Sequence, residues 1–137
     1  MRIFLDSSAL AKRYIQESGT EKVNDLFIQA DEIFVSLIAL PEVISAMTRN
    51  KTEKKMTLEQ FNERKNQLIL DFQDFNVCDL TPQVIKRTLY FIENYFLRTL
   101  DAIHLASAME TKVGLFVSAD TRQLKAAQAV KIKVLSV

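Results

Sequence analysis

Five short apolar runs, separated by stretches long enough for helices, constrain this chain more than any other feature of it. The runs lie near residues 2–5, 33–36, 75–80, 115–118 and 132–136 and are rich in β-branched and aromatic side chains. Such runs, with little polar alternation, read as strands buried on both faces. The stretches between them carry apolar residues at helical spacing. Residues 8–17 put Leu10, Tyr14 and Ile15 on one side, and 21–29 do the same with Val23, Leu26 and Phe27. Residues 57–72 show Leu58, Phe61, Leu68 and Phe72 with charges between them. A helix also begins near Pro41, with Glu42 in its first turn, and another spans 83–96 behind Pro82. The segment 100–111 is apolar nearly all round and predicts a buried helix, and 121–129 predicts the last one. Strands alternating with helices predict an α/β fold, a mainly parallel sheet with helices on both faces. A chain of 137 residues suits one domain, 1–137.

In sheets of this kind ligands bind beyond the carboxyl ends of the strands, where strand order reverses. Four acids stand near such places. Asp6 ends the first run, Asp120 ends the fourth, Glu42 opens the helix after the second, and Asp101 lies in the first turn of the apolar helix. Each has a structural explanation by itself. Asp6 and Asp120 are placed to cap helices, Glu42 complements a helix dipole, and Asp101 follows Thr99, which could serve as the cap. Four such acids around one sheet edge, however, would raise each other's pKa unless a cation held them ionised. An all-oxygen set without histidine or cysteine ligands suits Mg²⁺ or Mn²⁺ rather than zinc. Such ions orient an attacking water and stabilise charge on phosphorus, which is what phosphodiester hydrolysis needs.

Other residues near these acids have smaller roles. Ser7 and Ser8 follow Asp6, Ser118 precedes Asp120 by two, and Lys12 and Arg13 sit a helical turn beyond Asp6. Ser7, Ser8, Ser118 and Lys12 are candidates to contact phosphate or to orient the acids. His104 lies one turn after Asp101, but between Ile103 and Leu105 it reads as a hydrogen-bonded core histidine. The single cysteine, Cys78, reads as a small buried hydrophobe and excludes an intramolecular disulfide, which suits a cytoplasmic setting. No run is long enough to span a membrane, and Asp6 interrupts the apolar start too early for a secretory signal. Net charge is +1, so the charge balance does not announce a nucleic-acid binder. Arg49, Lys51, Lys54 and Lys55 nevertheless crowd one segment, which is either a solvated helix end or a patch that tracks phosphates.

The ordered set of motifs resembles the PIN-domain ribonucleases of the VapC toxin type. The stretch from Phe4 to Tyr14, containing Asp6-Ser7-Ser8-Ala9-Leu10, resembles that family's opening. Pro41-Glu42-Val43 resembles its second acidic motif, Leu100-Asp101-Ala102-Ile103-His104-Leu105-Ala106 its third, and Phe116-Val117-Ser118-Ala119-Asp120 its fourth. The resemblance implies a three-layer α/β/α sandwich with a five-stranded parallel sheet of order 3-2-1-4-5. It implies that Asp6, Glu42, Asp101 and Asp120 form a catalytic quartet binding Mg²⁺ (or Mn²⁺), and that the activity is endoribonuclease action on RNA. It also implies a cognate antitoxin as partner and a homodimer. A non-catalytic PIN-like module for RNA or protein is the alternative. One departure is that Ala129-Val130-Lys131-Ile132 lacks the glycine often found before the family's last strand.

Overall fold

The computed structural model describes residues 1–137. Its strands are β1 (Arg2–Leu5), β2 (Glu32–Ser36), β3 (Asn76–Cys78), β4 (Leu115–Ser118) and β5 (Val134–Ser136). Its helices are α1 (Ser7–Tyr14), α2 (Thr20–Gln29), α3 (Ala39–Thr52), α4 (Leu58–Asp74), α5 (Pro82–Tyr95), α6 (Thr99–Thr111) and α7 (Thr121–Ala129). The strands form one sheet of order β3-β2-β1-β4-β5, and every neighbouring pair is parallel. This is the order and direction that the resemblance implies.

Alternation along the strands divides the core into two halves. Ile3 and Leu5 of β1, Val35 of β2 and Val117 of β4 pack with residues of α1 to α4, such as Leu10, Val43, Met47 and Leu68. Phe4, Phe34 and Phe116 point the other way and pack with residues of α5 to α7, such as Phe91, Leu105 and Leu124. Phe4 and Phe116 stack with ring centroids 5.9 Å apart. Both faces of the three inner strands are therefore dry, which is why those runs show so little polar alternation.

The edge strands are shorter than the sequence predicts, three residues each where runs of six and five suggest more. Each has a neighbour on one side only, so its ends are not held by a second ladder. The largest departure is α3. Its first turn is legible from Pro41 and Glu42, but the helix runs on to Thr52 and takes in Arg49 and Lys51 as its last turn. The basic segment is thus partly a helix C-terminus, where cations complement the dipole. It does not act as one patch. Lys51 lies over the Phe61 ring, Lys55 pairs with Glu53, and Arg64 donates to the Tyr14 carbonyl. Thr99 is not the cap of α6. Arg98 holds that position without a side-chain hydrogen bond, and Thr99 is the first helical residue.

The missing glycine has a structural counterpart. Helix α7 closes with Lys131 N–H on the Gln128 carbonyl (2.9 Å) and Ile132 N–H on the Ala127 carbonyl (3.0 Å). This paired closure requires a left-handed residue after the cap, and Lys131 adopts it with φ +64°. Replacing Lys131 with glycine is expected to stabilise the protein by roughly 0.5–1 kcal/mol. That is the left-handed cost of a side-chain-bearing residue less the extra freedom of glycine when unfolded. Urea denaturation of the two proteins measures it.

Candidate functional site

The carboxyl ends of β1 and β4 open into a cleft of about 430 Å³. Strand order reverses there, since the chain leaves β1 towards β2 and later returns on the other side as β4. Asp6, Glu42, Asp101 and Asp120 all line this one cleft, together with Ser7, Ser8 and Lys12. The four acids come from the end of β1, the start of α3, the start of α6 and the end of β4.

Asp6 is the deepest of them, at 2% exposure. It caps α1 by accepting from the Ala9 N–H at 2.9 Å. The Ser8 hydroxyl lies 2.8 Å from each of its oxygens, and the Ser118 hydroxyl lies 2.9 Å from Oδ2. Burial raises the Asp6 pKa above the ordinary aspartate value, and nearby His104 and these three hydrogen bonds oppose that rise. Neither a lysine nor an arginine pairs with Asp6. Asp6 is thus a helix cap, as its position in the sequence suggests, and the same carboxylate also lines the cleft.

Ser8 and Ser118 knit the two strand ends together. Ser8 Oγ accepts from the Ala119 N–H at 3.0 Å, and Ser118 Oγ accepts from the Asp120 N–H at 2.9 Å. Ser118 has one proton and two acceptors in reach, Asp6 Oδ2 and Gln123 Oε1 at 2.8 Å. Gln123 is fully buried and its amide nitrogen donates to the Asp101 carbonyl at 3.1 Å. It therefore ties Asp101 to the serines beside Asp6. Gln123 is not among the residues that the sequence motifs single out. The available signal was its place three residues after the Asp120 cap, where a glutamine commonly reaches back to the cap.

The other acids have local partners too. Asp120 caps α7, accepting from the Arg122 N–H at 2.8 Å and the Gln123 N–H at 3.4 Å. Asp101 pairs with Arg98 at 3.1 Å. Glu42 Oε1 lies 2.5 Å from His104 Nε2. So placed, no three acidic, histidine or cysteine side chains converge closely enough to hold an ion between them. The donor set is nonetheless all carboxylate oxygen on one cleft, and its innermost member is a buried carboxyl paired with no lysine or arginine, which fits a hard divalent ion.

Lys12 is in the cleft wall but is neither free nor solvent-facing. It is 8% exposed and donates to the Ser18 carbonyl at 2.6 Å, with Glu17 at 3.5 Å. Arg13 points away, to Asp71 and Asn24. The cations that do reach the cleft from elsewhere are Arg49 and Arg98. Ser7 lines the cleft as the first residue of α1. His104 is buried as expected of a core histidine, yet its one hydrogen bond is to a member of the acid set. Cys78 is half-buried, and burial raises its thiol pKa, which disfavours the nucleophilic thiolate.

A four-acid cleft at the switch point of a 3-2-1-4-5 parallel sheet is a feature that comparison with known proteins can place. The sequence profile of the PIN domain family matches residues 3–129. The chain belongs to the PIN domain family. Among curated proteins it is 28% identical over 127 residues to ribonuclease VapC45 of Mycobacterium tuberculosis, covering 89% of this chain and 85% of that one. Among solved structures it is similar to VapC20 of Mycobacterium tuberculosis, described as a Sarcin-Ricin loop cleaving toxin. That match has a TM-score of 0.72 at 14% identity, over 90% of this chain and 94% of that one. A toxin–antitoxin complex from Klebsiella pneumoniae contains a chain with a TM-score of 0.71 at 17% identity, covering 98% of this chain and 96% of that one. These two likenesses establish the fold.

Because burial favours the neutral form of Asp6, ionising it in the folded state costs stability. That cost is absent at low pH, where the carboxyl is protonated, and grows as pH rises through its raised folded pKa. In metal-free buffer above neutral pH, Asp6→Asn should therefore melt at a higher temperature than the parent. The gap should close as pH falls towards the ordinary aspartate range. Thermal melts across a pH series with EDTA present read this out.

Proposed function

We propose that the chain is a Mg²⁺- or Mn²⁺-dependent endoribonuclease and the toxin of a toxin–antitoxin pair. The observation that carries this reading is that four carboxylates from four separate elements line a single cleft in a PIN-family chain. Ribonuclease names among its relatives support the reaction class. Toxin–antitoxin complexes among the proteins that share its fold support the partner.

Asp6, Glu42, Asp101 and Asp120 would hold the metal, which when bound supplies an activated water and a counter-charge for the phosphate. The present partners of these acids do not oppose that role. Arg98 is 78% exposed on its side chain, and an exposed ion pair with Asp101 contributes only about 0–1 kcal/mol. A divalent ion competes readily with it. Arg98, once released, and Arg49 are then the cations in the cleft wall that can meet backbone phosphates. Ser8 and Ser118 keep Asp6 oriented, and Gln123 fixes the backbone at Asp101.

A basic side chain from the antitoxin reaching into the cleft would be held by the same acids. Exposed apolar residues provide surface for the antitoxin and for a second copy of the chain. They include Leu58, Ile69 and Leu70 on α4 and Ile85, Leu89 and Tyr90 on α5. No helix is long and apolar enough to cross a membrane.

The test is cleavage of total RNA by the purified chain with mapped ends. Cutting should need Mg²⁺ or Mn²⁺ and stop in EDTA. Asp101→Asn should lower the rate on the order of a hundredfold or more, since a lost ligand costs at least what a lost supporting contact does. Cleavage that persists in EDTA would sink the metal mechanism. Folded protein that binds RNA without cutting it would restore the non-catalytic alternative.

A further inference from the structure

We propose that His104 is a positioning residue for Glu42, holding that carboxylate in place across the cleft through a single hydrogen bond from Nε2. The inference rests on the nuclease reading above and adds to it a residue outside the acid quartet. His104 lies on α6 one turn after Asp101 and is completely buried. Its Nε2 is 2.5 Å from Glu42 Oε1. An ionised carboxylate can only accept, so Nε2 carries the proton in this contact.

Two further observations separate this from ordinary core packing. The first is that His104 Nδ1 is buried and has no hydrogen-bond partner. Leaving a polar atom unpaired in the interior is costly, and a leucine there would avoid the cost. The ring's only polar contact is the one to Glu42. The second is the difference between Glu42 and the other acids. Asp6 is held by Ser8, Ser118 and the Ala9 amide, Asp120 by two helix amides, and Asp101 by Arg98 with Gln123 on its backbone. Glu42 has His104 alone. It is also the longest side chain of the four, with the most torsional freedom to lose.

The contact joins the two sides of the sheet as well. Residues of α3 pack in the α1–α4 half of the core, and residues of α6 pack in the other half. A hydrogen bond from α6 to the Glu42 side chain fixes where the α3 acid stands relative to Asp101, which α6 itself carries. Partners of this kind orient the ligands of a metal site, and their loss typically weakens metal binding or activity about 10–100-fold.

The experiment compares His104→Leu and His104→Gln with the parent, reading Mn²⁺ affinity by calorimetry on the RNA-free chain and cleavage kinetics separately. The leucine variant fills the space without a donor. It should keep its melting temperature or raise it, bind Mn²⁺ about 10–100-fold more weakly, and lose kcat with KM for RNA little changed. Glutamine, whose amide can donate to Glu42, should recover part of the loss. In a Glu42→Gln background, adding His104→Leu should cost nothing more, because the residue acts through Glu42. If the leucine variant does not fold, His104→Asn replaces it with the same expectations of binding and rate. Its side chain is polar but too short to span the contact. Parental Mn²⁺ affinity and kcat in the variant, or fully additive losses in the double variant, would overturn the inference alone. A parent that binds no Mn²⁺ would overturn the nuclease reading and this inference with it.

Discussion

The burial of the Asp6 carboxyl at the end of the central strand is the constraint on which the site depends. A carboxyl out of water is expensive unless hydrogen bonds surround it. Here the chain supplies them from three directions: the Ala9 amide at the start of α1, the Ser8 hydroxyl in its first turn, and the Ser118 hydroxyl at the end of β4. Satisfying Asp6 therefore fixes the β1–α1 corner against the end of β4. The same two serines hold the backbone of Ala119 and Asp120. Gln123 passes the restraint on to Asp101. One buried carboxyl thereby organises the strand ends on both sides of the switch point.

The sheet makes this possible by being dry everywhere else. Phe4, Phe34 and Phe116 fill one face and Ile3, Leu5, Val35 and Val117 the other, so between the exposed Arg2 and Glu32 at their amino ends and the polar groups at their carboxyl ends the inner strands are apolar. Polar groups are concentrated where strand order reverses and the helices diverge. The cleft that results holds six carboxylates, from Asp6, Glu17, Glu42, Glu53, Asp101 and Asp120, against the three cations Lys12, Arg49 and Arg98. That excess of negative charge in a recess is what, under the proposed function, would draw in a divalent ion or a basic side chain. An RNA backbone, by contrast, needs that charge neutralised before it can approach.

The strands, most helices and their order were legible because each rests on local pattern. A run such as Leu115-Phe116-Val117-Ser118 has few ways to be stable except as a buried strand. Helix α3 was legible only at its start. Pro41 and Glu42 mark a first turn, but its later residues, with Arg49, Asn50 and Lys51, look like a loop or a helix end until packing is known. Met47 shows why, since its complete burial against the α1–α4 half is a tertiary fact. The lysine at the left-handed turn before β5 is similar. Sequence shows that a glycine is missing, and only the backbone shows that Lys131 takes the glycine's conformation.

By itself the sequence determined an α/β chain of alternating strands and helices, four acids at strand ends and helix starts, and the family resemblance that grouped those four together. Spacing along strands and helices encodes that much because those periods are local. Tertiary structure alone decided what each side chain touches. It placed all four acids on one cleft, turned Arg13 away, and buried Lys12 against the Ser18 carbonyl. It brought Gln123 into the network and set His104 against Glu42 across 62 residues of chain. No local pattern carries such pairings, because they are settled by which helix faces which once both faces of the sheet are covered.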